Sequence, residues 1–239
     1  MTQQYRPLIP VDPQGLDDIA EGLLNTSPPN VEANDFAPNK NGFIYVPSIN
    51  LYVAKERSLQ GLNWSNTHDE LKKQNLSMPT IHQFREFLKY LKSGYQNRKE
   101  AEKILDDILT VREPWRAEWL DCYFEKRKSG ILTKEFYILT GNKSKAEKLD
   151  DYLQEDKLPG INLDEWIDGK NVNKHGLPTK NSQDGKLYYW APREGGVAGF
   201  DAFSDGAYLY CFRYPSNSDS VLGVRLVREA TPRKNGGKS

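Results

Sequence analysis

Between Gly199 and Pro215 two kinds of side chain alternate with the period of a β-strand. One set is small or compact: Ala202, Ser204, Ala207, Leu209 and Cys211. The other holds Asp201, Phe203, Asp205, Tyr208, Tyr210, Phe212 and Tyr214. Small residues suit a tightly covered face. Carboxylates interleaved with aromatics do not suit a core, because a buried carboxylate without a partner is costly. The second set therefore reads as a displayed surface whose chemistry is recognition. Its rings supply contact area, and its carboxylates select Lys, Arg or polar groups on a partner. The same pattern also fits a hairpin whose aromatics pack on another sheet or subunit, since aromatics are good strand formers.

The register shifts once. The aromatic and acidic set sits on odd positions at 201, 203 and 205, and on even positions from 208 to 214. A bulge or tight turn with Gly206 at a special backbone position keeps both halves facing one way.

Side chains for covalent or metal chemistry are sparse. His68, His82 and His175 share no zinc-type spacing, and His82 falls on the polar side of a helix. Cys122 and Cys211 are far apart and read as buried small apolar residues rather than a disulfide. Neither a phosphate-cradling glycine motif nor a nucleophile elbow occurs. Gly195-Gly196 reads as a turn before a strand, and Asp106-Asp107 and Asp150-Asp151 as solvated faces. The expectation is a protein that is not an enzyme, with no catalytic residue, cofactor or metal.

The run Val197–Cys211, then Pro215-Ser216-Asn217-Ser218-Asp219-Ser220 and the ending Leu222-Gly223-Val224-Arg225-Leu226-Val227-Arg228, resembles the variable region of proteins diversified by diversity-generating retroelements. Upstream, Pro159–Ile167, Gly176-Leu177-Pro178 and Tyr188–Pro192 are similar to the segment leading into short variable proteins of uncultivated microbes and their viruses. The resemblance implies a C-type-lectin-like fold of the formylglycine-generating-enzyme type. In that fold the C-terminal strand pairs centrally and long loops support an exposed binding face. It also implies a source of variation: a reverse transcriptase copies a template with errors at adenines, so that Asn codons become Tyr, Asp, Ser, Gly, Phe, His or Cys. The implied variable, ligand-binding positions are Asp201, Phe203, Asp205, Gly206, Tyr208, Tyr210, Phe212, Tyr214 and Asp219, each reachable from such a codon. None is Lys, Glu, Gln, Met or Trp. Ala202, Ser204, Ala207, Leu209, Cys211, Arg213 and Pro215 match the framework between them.

The function so implied is binding of a protein or cell-surface ligand through a surface at about 199–221. Two other roles exist on the same fold. A formylglycine-generating-type enzyme needs a close pair of reactive cysteines, and this region has only Cys211. A structural virion or fibre component leaves the mixed face unexplained unless that face is an oligomer contact. Calcium-dependent sugar binding is not implied, because Glu113-Pro114-Trp115 is a poor substitute for the signature of that activity.

The elements that must position this face follow from periodicity. Gly42–Pro47 and Asn50–Ala54 read as a hairpin or two short strands. Ser77 or Thr80 caps a helix over Ile81–Leu91 that Gly94 stops, and a second helix runs from about Arg98 to Val111. Pro114 opens a third, through Arg116–Phe124. Ile131–Leu139 is strand-like, Lys143–Leu153 a polar helix or loop, and Leu187–Trp190 and Val221–Arg228 are strands. The predicted class is α+β, with a helical N-terminal part and a loop-rich antiparallel C-terminal sheet.

The 239 residues suffice for one medium domain at 41–230, preceded by an arm at 1–40, partly flexible, with a short helix at Asp17–Leu24, and followed by a polar tail at 231–239. Thirty-three basic and 33 acidic residues cancel, which argues against bulk attraction to nucleic acid or anionic membrane. Mean hydropathy is −0.75 and no apolar run reaches a membrane span. The first residues lack the regions of a secretory signal, so the expectation is a cytoplasmic or virion-associated protein.

Overall fold

The structure, a computed structural model, describes residues 42–129, 134–182, 185–203 and 205–230. The expected arm with its helix at Asp17–Leu24, the tail at 231–239 and Ser204 lie outside the described residues.

Strands β1 (Phe43–Val46) and β2 (Leu51–Ser58) pair antiparallel across a 3-10 turn, Pro47–Ile49, that Asn50 closes in the left-handed region (φ 52°). Three helices follow. The first, α1 (Trp64–Lys73), carries no strong signal beyond its cap, Asn63, whose side chain accepts from the Asn66 amide. Helix α2 (Ile81–Ser93) begins in a full capping box between Thr80 and Gln83, and it buries Ile81, Phe84, Phe87, Leu88 and Leu91 as their spacing predicts. Helix α3 (Arg98–Leu109) is capped by Asn97 and buries Ala101, Ile104 and Ile108.

The helix expected from Pro114 is instead a long strand, β3 (Arg116–Lys128). Its residues are fair helix formers, and tertiary burial overrides that preference. Leu120, Cys122 and Phe124 enter the core beneath α2 and α3, whereas Ala117 and Trp119 join a second cluster around Trp64, Leu71, Leu222 and Val224. With both faces covered, the alternation that marks a half-buried strand disappears. Even the charges are buried: Arg116 reaches Glu118 at 2.6 Å, and Arg225 meets the same carboxylate at 2.8 and 3.1 Å. Asp107 of α3 also pairs with Arg116, at 3.2 Å, so it is part of this network and not merely a solvated face.

The remaining elements are β4 (Lys134–Thr140), β5 (Lys145–Lys148), β6 (Lys157–Ile161), α4 (Leu163–Asp168), β7 (Leu187–Trp190), β8 (Val197–Phe203), β9 (Gly206–Arg213) and β10 (Leu222–Glu229). Strand β5 stands where a polar helix or loop was predicted; all four of its residues are exposed, and it is held by pairing with β4. The described chain is thus mixed α/β, with a ten-stranded sheet and four helices. The main path runs β1-β2-β10-β3-β8-β9-β7-β6, with β4 and β5 branching from β3. Two pairings are parallel, β10 with β3 and β7 with β9, so the sheet is not purely antiparallel as expected. Helices α2, α3 and α4 cover one face of its centre, and Phe200 of β8 packs there against Phe84 at 5.1 Å and stacks on Trp166 at 5.8 Å. No described helix is long and apolar enough to cross a membrane.

Candidate functional site: an aromatic face on β7, β8 and β9

The hairpin register explains the parity change in the sequence. Phe203 pairs with Gly206, Asp201 with Tyr208, and Gly199 with Tyr210. Paired residues share a face, so a register that sets odd positions of β8 against even positions of β9 swaps the parity without a bulge. Gly206 does not adopt the special backbone conformation expected of it. It is small because a Cβ there would lie 3.0 Å from the Lys186 carbonyl oxygen and 3.1 Å from the Tyr188 ring. A real bulge comes later: Gly199 pairs with Tyr210 but Val197 with Arg213, which leaves one extra residue on β9. Phe212 reaches Trp190 at 5.3 Å, while Arg213 lies over Tyr210 at 4.8 Å, so both serve the same face.

The inward set behaves as a framework. Ala202, Ala207, Leu209 and Cys211 are all buried, Cys211 completely. Burial pushes the Cys211 thiol well above its ordinary range, which disfavours the reactive thiolate. Cys122 and Cys211 are both free.

On the opposite face aromatic rings form a small array. Parallel pairing of β7 and β9 sets Tyr188 against Tyr208 (4.5 Å, 13°) and Trp190 against Tyr210 (5.8 Å, 5°). Tyr208 also stacks on Tyr210 at 5.7 Å. At the hairpin end Asp205 accepts from the Tyr188 and Tyr208 hydroxyls, each at 2.6 Å. The Tyr188 bond, then that from Tyr208, holds the Asp205 carboxyl below its ordinary range. Beside the array an open cleft of about 360 Å³ is lined by Trp115, Phe203, Tyr210, Phe212 and Tyr214, with Asp201, Arg213 and Asn217 as its polar members.

The expected binding residues do not all stand alike. Phe203 and Tyr214 are exposed, at 41% and 76%, and Tyr210 and Phe212 are half-buried. Tyr208 is only 8% exposed, because Tyr188, Tyr210 and Phe203 close around its ring. Asp201 is not displayed. It is 3% exposed and forms a close ion pair with Arg213, whose side chain crosses the space that a side chain at Gly199 would fill. Burial raises its carboxyl to about 6, against the pull of Arg213. Asp205 and Gly206 border a separate cleft of about 430 Å³ with Tyr188 and Lys186. Asp219 is exposed but lines neither cleft; its Oδ1 accepts from the Val221 amide and shapes the loop before β10.

Trp115, Tyr188, Trp190, Arg213 and Asn217 join this face without belonging to the alternating set of residues 201–214 that marks it in the sequence. For β7 the signal is present, since Leu187 and Tyr189 point inward and Tyr188 and Trp190 alternate with them. Trp115 carries no such signal, because Pro114 and the residues after it have the local pattern of a helix start. Of the histidines, His68 is buried with Nε2 3.2 Å from Asp121, while His82 and His175 are half-buried rather than on a free surface. Among the described residues no three His, Cys, Asp or Glu side chains converge as a metal ion requires. No family model, curated protein or solved structure matches the chain.

Proposed function

We propose that this chain is a ligand-binding protein that recognises a protein or cell-surface target through the aromatic face of β7–β9, and that the face is diversified by a retroelement on a C-type-lectin-like scaffold. The observation that carries the reading is the division of labour within one hairpin. One side of β8–β9 is buried and compact but for Phe200, which packs on α2 and α4. The other presents Phe203, Tyr210, Phe212 and Tyr214 around an open cleft. Tyrosine-rich surfaces give large contact area at low rotamer cost. The central place of β10, between β2 and β3, is in keeping with the fold that the sequence resembles. Asp201 belongs to the support of the face in this reading, and Asp205 and Asp219 to its border.

Such a face must tolerate change. Replacing Phe203 and Tyr214 together by Ser is expected to cost no more than about 0.5 kcal/mol for each exposed position. Leu209→Ala, which empties a fully buried position, is expected to cost roughly 2–5 kcal/mol. Denaturant unfolding of the two variants makes the comparison. Equal losses would contradict a framework that is independent of its displayed residues.

A further inference from the structure

We infer that the cleft between Trp115 and Tyr214 is a carboxylate-binding subsite in which Arg213 is the anion anchor, suited to an acidic group carried next to an aromatic or apolar body. The inference rests on reading this face as a binding surface, and it goes further by fixing the charge of the group that enters.

The polar members of the cleft decide between cation and anion. A cation would need Asp201. Yet one oxygen of Asp201 already holds Arg213, and the other, Oδ1, is enclosed without a hydrogen-bond partner among the described residues. Two of the ring faces that would attract a cation are taken as well, since the Arg213 guanidinium lies 5.6 Å from the Trp115 centroid and 4.8 Å from that of Tyr210. A cationic group would therefore compete with a tethered cation at Asp201, Trp115 and Tyr210. This reverses the sequence expectation that Asp201 selects Lys or Arg on a partner.

Donors, by contrast, are in surplus. Of the five N–H donors of Arg213, Nη2 bonds Asp201 and Nε is enclosed, which leaves Nη1 and the second N–H of Nη2 for the cleft that the side chain lines. Asn217 uses its Oδ1 to accept from the Asp219 amide, which leaves the donor end of its side chain for the cleft it lines. The Arg213 side chain is itself nine-tenths buried among the aromatic walls, and charge-assisted hydrogen bonds to a guanidinium are strong where water is scarce. A cavity of about 360 Å³ accommodates a ring with an attached carboxylate, and the exposed Phe203 and Tyr214 rings give its apolar part a place to lie.

Asp201 adds a dependence on pH. The groups that face it are Arg213 and Tyr210 on β9, Arg116 on β3 and Arg57 on β2. The Tyr210 hydroxyl is raised by burial and does not ionise in the physiological range. Asp201 is the member that changes: its carboxyl, raised to about 6, is ionised at pH 7.5 and largely neutral at pH 5. Neutral Asp201 leaves the charge of Arg213 unshared, so carboxylate affinity rises as pH falls.

The test titrates the protein with N-acetylphenylalanine, its primary amide and phenethylamine, by calorimetry or NMR. An acetylated phenylalanyl-glutamyl amide, with its carboxylate on a side chain, separates a chain end from a side chain as the source of the acid. The acid is expected to bind at least roughly tenfold more tightly than the amide, and the amine more weakly still. Affinity for the acid is expected to strengthen severalfold between pH 7.5 and pH 5. Arg213→Gln should abolish the preference for the acid. Asp201→Asn should bind the acid at pH 7.5 as wild type does at pH 5, with the pH dependence gone. Equal binding of acid and amide, tighter binding of the amine, no binding of the acid, or affinity that weakens on acidification would each overturn the inference. The wild-type comparison needs no variant to fold, and its failure leaves the diversification reading to be judged on the gene itself.

Discussion

Asp201 shows how one side chain can look displayed and be structural. Its type and spacing place it with the aromatics, but Ala117 opposite it on β3 and Arg213 above it draw it into the interior. With a carboxyl at about 6 in the fold against an ordinary 3.8, the folded protein holds this proton more tightly than the unfolded chain does. The resulting stabilisation is fully present below about pH 3.8 and is lost as pH rises through 6. Asparagine mimics the neutral acid at every pH. The stability of wild type relative to Asp201→Asn is therefore expected to fall by roughly 1–3 kcal/mol between pH 4.5 and pH 7.5. Urea unfolding of both proteins at the two pH values measures it, and a difference that does not change with pH would contradict the burial of an under-satisfied carboxylate.

Elements with a single dominant period were legible in the sequence, and those shaped by long-range contacts were not. The stripe and capping box of α2 are local, and so is the alternation in β9; each was read to within a few residues. Strand β3 was missed because burial on both faces removes alternation and because its charges find partners 107 residues away, as Glu118 does in Arg225. Strand β5 depends on β4 for its shape. At the site the rings on β8 and β9 were legible, whereas Trp115 and Trp190 join them through strand order, which one strand's pattern does not encode. The bulge of β9 has a similar dependence on its neighbours. At Gly196 a Cβ would stand 2.5 Å from the Phe212 Cα and 3.1 Å from the Cys211 oxygen, both backbone atoms. Gly196→Ala is expected to cost roughly 1–3 kcal/mol by overpacking at the bulge, measured by denaturant unfolding. A neutral result would mean that the bulge yields freely and does not fix Phe212.

At the scale of the whole molecule, β10 lies between β2 and β3, so the last strand of the domain locks its first strands and its longest one together. The buried Glu118–Arg225 pair reinforces that junction, while helices α2 to α4 back the hairpin that bears the rings. Change at Phe203, Tyr210, Phe212 and Tyr214 thus falls outside the cores that hold the fold. This separation is what a diversified surface requires, and the DNA around the gene records whether it has been used. A reverse-transcriptase gene is expected nearby, with a near-copy of the codons for about residues 199–221 that differs from them only where the copy has adenine. The adenine differences should fall on the codons of the displayed residues and spare those of Ala202, Ala207, Leu209 and Cys211. Sequencing the flanking DNA and finding no such copy, or a copy whose differences fall equally on displayed and buried codons, would contradict the account.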